Sequence, residues 1–461
     1  MTGEITGIAY VVAATTFILA LKGLSSPRFA RYGNRIGALG AVLATAVILV
    51  TGDIHHLFLV LPVMAIGAVT GVVLARKVAM TAMPQMVAVF NGVGGGAAAL
   101  VALLEFTAKT SLPWLTLAAT VVSIAIGAVS FSGSIVTFAK LQELMTTRPV
   151  VFPGGRWVSI GTAVCLLLAA IWVASTGGGL AAIGTVIVLS VLALALGVLF
   201  VLPVGGADVP IVISLLNAFT GLAVAASGYL LGNVLLIVAG TLVGASGTIL
   251  TRLMAKAMGR SLAKTLFGAF TQQALAAGAG GAETRPIHSV GPSDVAIMLT
   301  YAHRVVIVPG YGLAVAQAQH VTRELAQLLE EKGIVVEFGI HPVAGRMPGH
   351  MNVLLAEADI PYEQLKEMDE INTDMANTDV VLVVGANDVV NPAARTSPSA
   401  PIYGMPIINV DQAKAIVFLK RSMRPGFAGI DNALLFDPKT SLLFGDAKTS
   451  LTKVIAALKE A

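Results

Sequence analysis

The chain has 461 residues, 56% apolar and only 12% charged, and a mean hydropathy of +0.85. A soluble domain carries roughly 25% charge, so a wholly soluble protein is excluded. The net charge of +4 invites a nucleic-acid reading, but from Ser293 onward nineteen acidic residues face fourteen Lys or Arg. The hydrophilic part is acidic, and nucleic acid is excluded as a partner. A single cysteine, Cys165, excludes an internal disulfide framework or a cysteine metal cluster, and no metal site is expected.

Charge is unevenly placed along the chain. Five carboxylates (Glu4, Asp53, Glu105, Glu143, Asp208) precede Thr251 and twenty follow it, which separates a membrane half from a soluble half. Crossing a bilayer takes about 20 apolar residues. Nine runs qualify: Ile5 to Leu24, Ile36 to Gly52, Leu57 to Ala75, Met86 to Phe106, Trp114 to Ala139, Trp157 to Ser175, Leu180 to Leu202, Val209 to Leu231 and Asn233 to Leu250. The first follows Glu4 with no basic segment before it and is expected to be a retained span, not a cleaved signal.

The loops test this count. Alternate connections carry Lys22, Arg28, Arg31 and Arg35, then Arg76 and Lys77, then Lys140, Arg148 and Arg156, then Arg252, Lys256, Arg260 and Lys264, whereas the opposite loops carry only Lys109. The positive-inside rule then puts the N-terminus outside and the C-terminal domain in the cytoplasm.

Small and polar residues recur at helical spacing in span 5 (Ser123, Gly127, Ser130, Ser134, Thr137), span 8 (Ser214, Asn217, Gly221, Ala225, Gly228) and span 9 (Gly240, Gly244, Gly247, Thr251). Close helix packing accounts for most of them. Asn91 and Asn217 stand apart: from the cytoplasmic ends of spans 4 and 8, each lies roughly 10 to 14 Å deep at about 1.5 Å per residue. An amide in hydrocarbon needs partners, which a hydrated proton path or an interhelical hydrogen bond would supply. Asp208, in PVGGADVP at the mouth of span 8, is the only carboxylate of its loop and a candidate proton entry or gating group.

Residues 258–292 are small, glycine-rich and without periodicity, as in a mobile tether between a membrane domain at 1–257 and a soluble domain at 293–461. Ser293-Asp294 reads as an N-cap opening a helix to about His303. Apolar strands then alternate with helices: strand Val305 to Val308, helix Ala314 to Glu331, strand Ile334 to Ile340, and helices near His350 to Ala358 and Tyr362 to Met368. Strands Val380 to Val384, Pro406 to Val410 and Ala415 to Leu419 and a last helix Ser450 to Lys459 complete the pattern. The alternation predicts a doubly wound, mainly parallel Rossmann-like sheet, whose ligands bind beyond the carboxyl ends of the strands.

Four loops fall at those ends: Gly310-Tyr311-Gly312, His341 to Gly349, Gly385 to Asn391 and Lys420 to Gly429. Gly310 and Gly312 would let backbone approach a pyrophosphate, with charge stabilised by the following helix N-terminus. Val315 replaces the third glycine of the usual dinucleotide fingerprint. An NAD site would carry an acid at the end of the second strand, where His341 stands. Lys420, Arg421 and Ser422 form a cation, cation, hydroxyl triplet suited to a phosphate, which favours NADP over NAD.

Longer motifs carry a resemblance. GYGLAVAQAQ at Gly310 to Gln319, EFGIHPVAGRMPGHMNVLLAEA at Glu337 to Ala358, EMDEIN at Glu367 to Asn372, VGANDVVNPAA at Val384 to Ala394, FLKRSM at Phe418 to Met423, LFGDAK at Leu443 to Lys448 and PVGGADVPIVISLLNAFTG at Pro203 to Gly221 closely resemble the beta subunit of proton-translocating nicotinamide nucleotide transhydrogenase. The resemblance spans essentially the whole chain. It implies that NADP(H) binds here, NAD(H) binds an alpha subunit, and hydride passes directly between the nicotinamides while a proton crosses a bacterial cytoplasmic membrane. No protein residue is then expected to be catalytic.

The resemblance also implies a cofactor set: Gly310, Tyr311, Gly312, Ala314 and Val315; Ala344, Gly345 and Arg346; Gly385, Asn387 and Asp388; Lys420, Arg421 and Ser422; Asp446 and Ala447. By family pattern Lys420 to Ser422 contact the 2′-phosphate, and Gly426, Phe427, Ala428 and Gly429 belong to a lid. Asp388 is implied to link protonation to the NADP(H) state, and Asp208 and Asn217 match channel positions. Asn91 stands where some relatives carry histidine, and an amide cannot titrate. In such families a small membrane subunit supplies the histidine, so a three-polypeptide enzyme working as a dimer of the complete complex is expected. A nucleotide-gated ion transporter is the competing reading. A membrane-anchored dehydrogenase of an organic substrate would want a further substrate domain.

Overall fold

The computed structural model describes residues 2–52, 54, 56–109, 112–146, 149–176, 180–205, 208–258, 286–347, 349–398, 400, 402–426 and 428–460. The expected tether at 258–292 lies for most of its length outside these residues, as do Arg148 and Phe427. The chain divides into two units, one built on apolar helices and one on a parallel sheet.

Backbone in hydrocarbon must bond to itself, and the apolar runs do so as helices. Among the described residues nine are long and apolar enough to cross a membrane: α1 (Thr2–Leu24), α2 (Pro27–Thr51), α3 (Leu57–Lys77), α4 (Met83–Ala108), α5 (Trp114–Leu141), α6 (Gly155–Thr176), α7 (Leu180–Val201), α8 (Val209–Leu230) and α9 (Val234–Ala257). This is a membrane protein.

The small-residue stripes are packing surfaces. A Cβ on Gly221 of α8 would lie 2.5 Å from the Gly244 nitrogen of α9, and one on Gly127 of α5 would lie 2.6 Å from the Gly95 oxygen of α4. Only glycine permits these approaches, and dispersion contacts along them hold the helices without a hydrophobic driving force.

Lys140 departs from its expected place as a loop cation. It is fully buried in the last turn of α5, and its Nζ donates to the carbonyls of Val201 (3.1 Å), Leu202 (2.6 Å) and Val204 (2.7 Å). Those carbonyls close the C-terminal end of α7, where helix groups lack intrahelical donors and a cation is favoured. Lys109 pairs with Glu105 one helical turn before it.

In the second unit, α10 (Pro292–Thr300) precedes β1 (Arg304–Pro309). There follow α11 (Tyr311–Val315), α12 (Gln319–Glu331), β2 (Val335–Ile340), α13 (His350–Glu357), β3 (Leu365–Glu367), α14 (Met368–Asp374), β4 (Val380–Val384), α15 (Ala393–Thr396), β5 (Ala415–Lys420), β6 (Thr440–Phe444) and α16 (Ala447–Glu460). The six strands are parallel in the order β3-β2-β1-β4-β5-β6. Alternate strand residues feed two cores, as a sheet covered on both faces requires. Val305, Ile307, Leu382 and Val417 pack with α10, α12, α13 and α16, whereas Val306, Val308, Val381 and Phe418 pack with Met368, Ile371, Leu434 and Leu435.

Four local expectations are corrected. The helix read as Ala314 to Glu331 is broken by Gln317 at φ 49°, leaving α11 only five residues long. The helix read near Tyr362 to Met368 is a 3-10 turn, strand β3 and the start of α14. Residues 406–410 form no strand. They are held instead by single bonds: Asn372 Nδ2 to Ile407 O, Asn409 N to Asn372 Oδ1 and Ile408 N to Val389 O. Thr440–Phe444 forms β6, which the LFGDAK motif concealed.

Candidate functional site

Register decides where the informative loops lie. Pro309 pairs with Val384 and Val384 with Leu419, so β1, β4 and β5 end abreast and release Gly310, Gly385 and Lys420 at one edge. Strand order reverses between β1 and β4, and ligands of open parallel sheets bind at such a switch point.

The glycines there have a structural reason of their own. Gly310 N donates to Val384 O at 2.9 Å and Gly312 N to Gly385 O at 3.0 Å, tying the β1 turn to the β4 turn. A Cβ on Gly310 would sit 2.4 Å from Ala386 Cα, and Gly385 at φ 69° would place one 2.4 Å from Leu313 N. Two backbones therefore occupy the space that side chains would need. Two of the N–H groups expected to face a pyrophosphate are committed to carbonyls, and α11 is too short to lend much dipole. Ala314 is buried and Val315 exposed at the end of that helix.

The turn after β2 folds onto Tyr311. Arg346 holds its guanidinium carbon 4.4 Å from the Tyr311 ring centroid, a cation–π distance, and the His350 ring lies 6.2 Å from Tyr311 at 54°. Gly345, at φ 101°, leaves room for His350, whose Nδ1 accepts the Arg346 N–H at 3.1 Å. Ala344 is buried with its N–H on His341 O at 3.0 Å. His341 itself is 2% exposed: its Nε2 bonds Pro406 O at 2.8 Å and its Nδ1 accepts the Val343 N–H at 3.3 Å. The Val343 bond fixes the proton on Nε2, and burial lowers the pKa to about 4, opposed by the Pro406 bond. The residue that stands where an NAD site would carry an acid is a neutral strut.

The loops after β4 and β5 are joined. Asp388 Oδ2 accepts the Ala428 N–H at 2.8 Å, Asn432 Nδ2 donates to Asn387 O at 3.2 Å, and Asn391 Nδ2 donates to Asp431 O at 3.0 Å. A Cβ on Gly426 would meet Asp388 Oδ1 at 2.5 Å, so glycine lets the segment lie against that carboxylate. Lys420 is half-buried with its Nζ on Arg424 O at 3.3 Å; burial lowers its pKa, and the charges of Asp388 and Asp431 oppose that. Arg421, Ser422 and Gly429 are exposed. Asp446 caps α16, its Oδ1 accepting from Lys448 N at 3.1 Å and Thr449 N at 3.3 Å, with Ala447 buried behind it.

A sequence profile described as NAD(P) transhydrogenase beta subunit matches residues 6–457. The chain is also 45% identical, over 467 aligned positions, to the NAD(P) transhydrogenase subunit beta of Rhodospirillum rubrum, covering 99% of this chain and 100% of that protein. A named strain of that organism gives the same match. The chain belongs to the NAD(P) transhydrogenase beta subunit family. As a beta subunit it is part of a transhydrogenase, a family that implies nucleotide binding and an alpha-subunit partner.

In the membrane unit of this beta subunit, Asn91 gathers hydroxyls from neighbouring helices. Its Nδ2 donates to Ser134 Oγ at 2.9 Å and Ser130 Oγ at 3.2 Å. Ser130 Oγ lies 2.6 Å from Thr220 Oγ1 and donates to Leu216 O at 2.9 Å. Asn91 Oδ1 is buried without a hydrogen-bond partner among the described residues. A second group joins Ser123 and Ser227 hydroxyls at 2.6 Å. Asn217 is half-buried on α8, beside Leu216, and Asp208 immediately precedes that helix in sequence.

Sequence reasoning missed Lys140, His350 and the bonding partners of Asn91. The serine stripe of span 5 was the available signal for the last. Nothing in the local sequence separates Lys140 from an ordinary loop cation.

Proposed function

We propose that the C-terminal unit binds NADP(H) at the β1/β4 edge, and that hydride passes directly between this nucleotide and NAD(H) on an alpha-type partner. Proton passage through the helical unit is coupled to that exchange, in the direction that drives NADPH formation. The observation that carries the reading is the half-buried Lys420 beside the Asp388–Ala428 junction at the switch-point edge.

The residues present fit a phosphorylated dinucleotide. Lys420, Arg421 and Ser422 would hold a 2′-phosphate through charge-assisted bonds. Tyr311 and Arg346 offer a stacked aromatic and planar cation, Asp388 holds the Ala428 N–H of the proposed lid, and Asn387 O accepts from Asn432 Nδ2 just beyond it. Bound nicotinamide supplies the hydride chemistry, so the chain's own work is binding and positioning. Coupling then requires that protonation states of the membrane unit prefer different nucleotide affinities.

Asp208, Asn217 and the Asn91 hydroxyl cluster are the proposed proton path. Because amide and hydroxyls there do not titrate near neutrality, a separate small membrane polypeptide completes the enzyme beside an NAD-binding polypeptide, in a dimeric complex. The proposed domains are a membrane domain at 1–257, a linker at 258–292 and an NADP(H) domain at 293–461, the last in the bacterial cytoplasm and the N-terminus outside.

The test is a purified complex in proteoliposomes, followed for hydride exchange from NADPH to an NAD analogue and for internal pH. Absence of exchange would sink the reading. NADP(H)-dependent ion flux without exchange would establish a nucleotide-gated transporter instead.

A further inference from the structure

His350 opens α13 fully buried, although a histidine is only intermediately apolar, and its surroundings account for one ring nitrogen only. Nδ1 accepts the backbone N–H of Arg346 at 3.1 Å. In a neutral ring the proton therefore sits on Nε2, and Nε2 is buried with no partner among the described residues. An unpaired buried donor is unfavourable, so the turn keeps this ring in spite of Nε2.

The neighbourhood shows what Nδ1 accomplishes. Gly345 wraps the ring so closely that a Cβ there would lie 2.4 Å from Nδ1. Bonding Arg346 N fixes the backbone from which the guanidinium reaches the Tyr311 ring at 4.4 Å, and the His350 ring itself lies 6.2 Å from Tyr311. Tyr311 in turn belongs to the β1 turn that is bonded to β4. Burial first, and then the Arg346 charge, lower the His350 pKa, which keeps Nδ1 an acceptor. No group of three or more His, Cys, Asp or Glu among the described residues offers the ring a metal-binding role.

We propose that His350 is a positioning residue of the nucleotide site, holding Arg346 against Tyr311 through Nδ1 and thereby setting NADP(H) affinity. This rests on the reading of the C-terminal unit as an NADP(H) site.

Three variants in the purified complex separate the ring's atoms. His350→Asn places an amide oxygen near Nδ1, His350→Gln reaches toward Nε2, and His350→Phe keeps a ring with neither nitrogen. NADPH affinity is measured by calorimetry, and hydride exchange is followed to separate KM from kcat. His350→Phe is expected to weaken NADPH about tenfold, the loss of one positioning hydrogen bond, with kcat at saturating nucleotide little changed. His350→Asn is expected to recover most of that affinity and His350→Gln little of it, while NAD(H) affinity of the complex stays constant.

Unchanged affinity in His350→Phe overturns the proposal, as does recovery by Gln without Asn, which would assign the role to Nε2. Equal failure of Asn and Gln overturns it too, since packing alone would then explain the ring. If His350→Phe does not assemble, the Asn and Gln pair decides. Wild-type complex that binds no NADP(H) refutes the underlying function; wild-type binding that Lys420→Ala weakens and the His350 variants do not refutes this inference alone.

Discussion

His341 couples the C-terminal unit's integrity to pH, and the sign follows from burial. Its pKa is lowered to about 4 from an ordinary value of 6.5, because the 2%-exposed ring cannot be charged without losing solvation. Between those values the unfolded chain binds the proton and the folded one does not, so stability is complete above 6.5 and falls as pH drops toward 4. The full difference corresponds to roughly 3 kcal/mol, and the part lost between about pH 7 and pH 5 to roughly 2 kcal/mol. Protonation would also turn Nδ1 from acceptor to donor against the Val343 N–H. Hydrogen exchange on the detergent-solubilised full chain, corrected for intrinsic rates, reads the opening energy of amides in β2 and at Ile408. His341→Gln keeps a donor for Pro406 O but does not titrate, so it is expected to lose some protection at every pH and to abolish the slope. A wild-type opening energy that is flat from pH 7 to 5, or an equal slope in the Gln variant, refutes the reasoning.

Gly310→Ala is expected to destabilise the C-terminal unit by about 2–4 kcal/mol, since its methyl would meet the Ala386 and Gly385 backbones at 2.4 Å, read as faster exchange in β1 and β4. Lys420→Ala is expected to weaken NADP(H) roughly 10- to 100-fold by removing a charge-assisted bond, and to spare NAD(H) binding to the complex; equal loss of both in calorimetry counts against the clamp. Asp379 accepts from Lys414 Nζ at 2.7 Å and from the N–H groups of His303 and Arg304 at 2.8 and 3.0 Å, and its pKa is lowered to about 2 by the Lys414 bond first and the His303 bond next. Its contribution is present above 3.8 and is lost as pH falls toward 2, so Asp379→Asn should remove about 1–2 kcal/mol at neutral pH and little in strong acid, measured by exchange at the starts of β1 and β5.

The spans were legible because hydrocarbon admits few solutions: long apolar runs become helices wherever they fall, and all nine do so. The central strands were legible because fully buried parallel strands read as unbroken apolar runs such as Val380–Val384. What escaped depended on distant residues. The break at Gln317 needs an αL conformation that no glycine or proline announces. Residues 406–410 look like a strand, but Asn372, His341 and Val389 take the bonds a ladder would need. Lys140 was read by sequence position, and only the end of α7 explains its burial.

The glycine turn that first suggests a dinucleotide cannot by itself select one, because two backbones fill the space around Gly310 and Gly385. Selection under the proposed reading then falls to the loops after β2 and β5, whose cations are Arg346, Lys420, Arg421 and Arg424. Lys420 already feels Asp388 and Asp431, and Asp388 also accepts the Ala428 N–H. A phosphate drawn to Lys420 would compete with these carboxylates for the same charge. Whatever weakens Asp388 as an acceptor would then favour the phosphate while loosening the Ala428 segment. Affinity and the hold on Ala428 become two readings of one carboxylate, so a variant at Asp388 should change NADP(H) affinity and off-rate together, whereas a variant at the exposed Arg421 should change affinity alone.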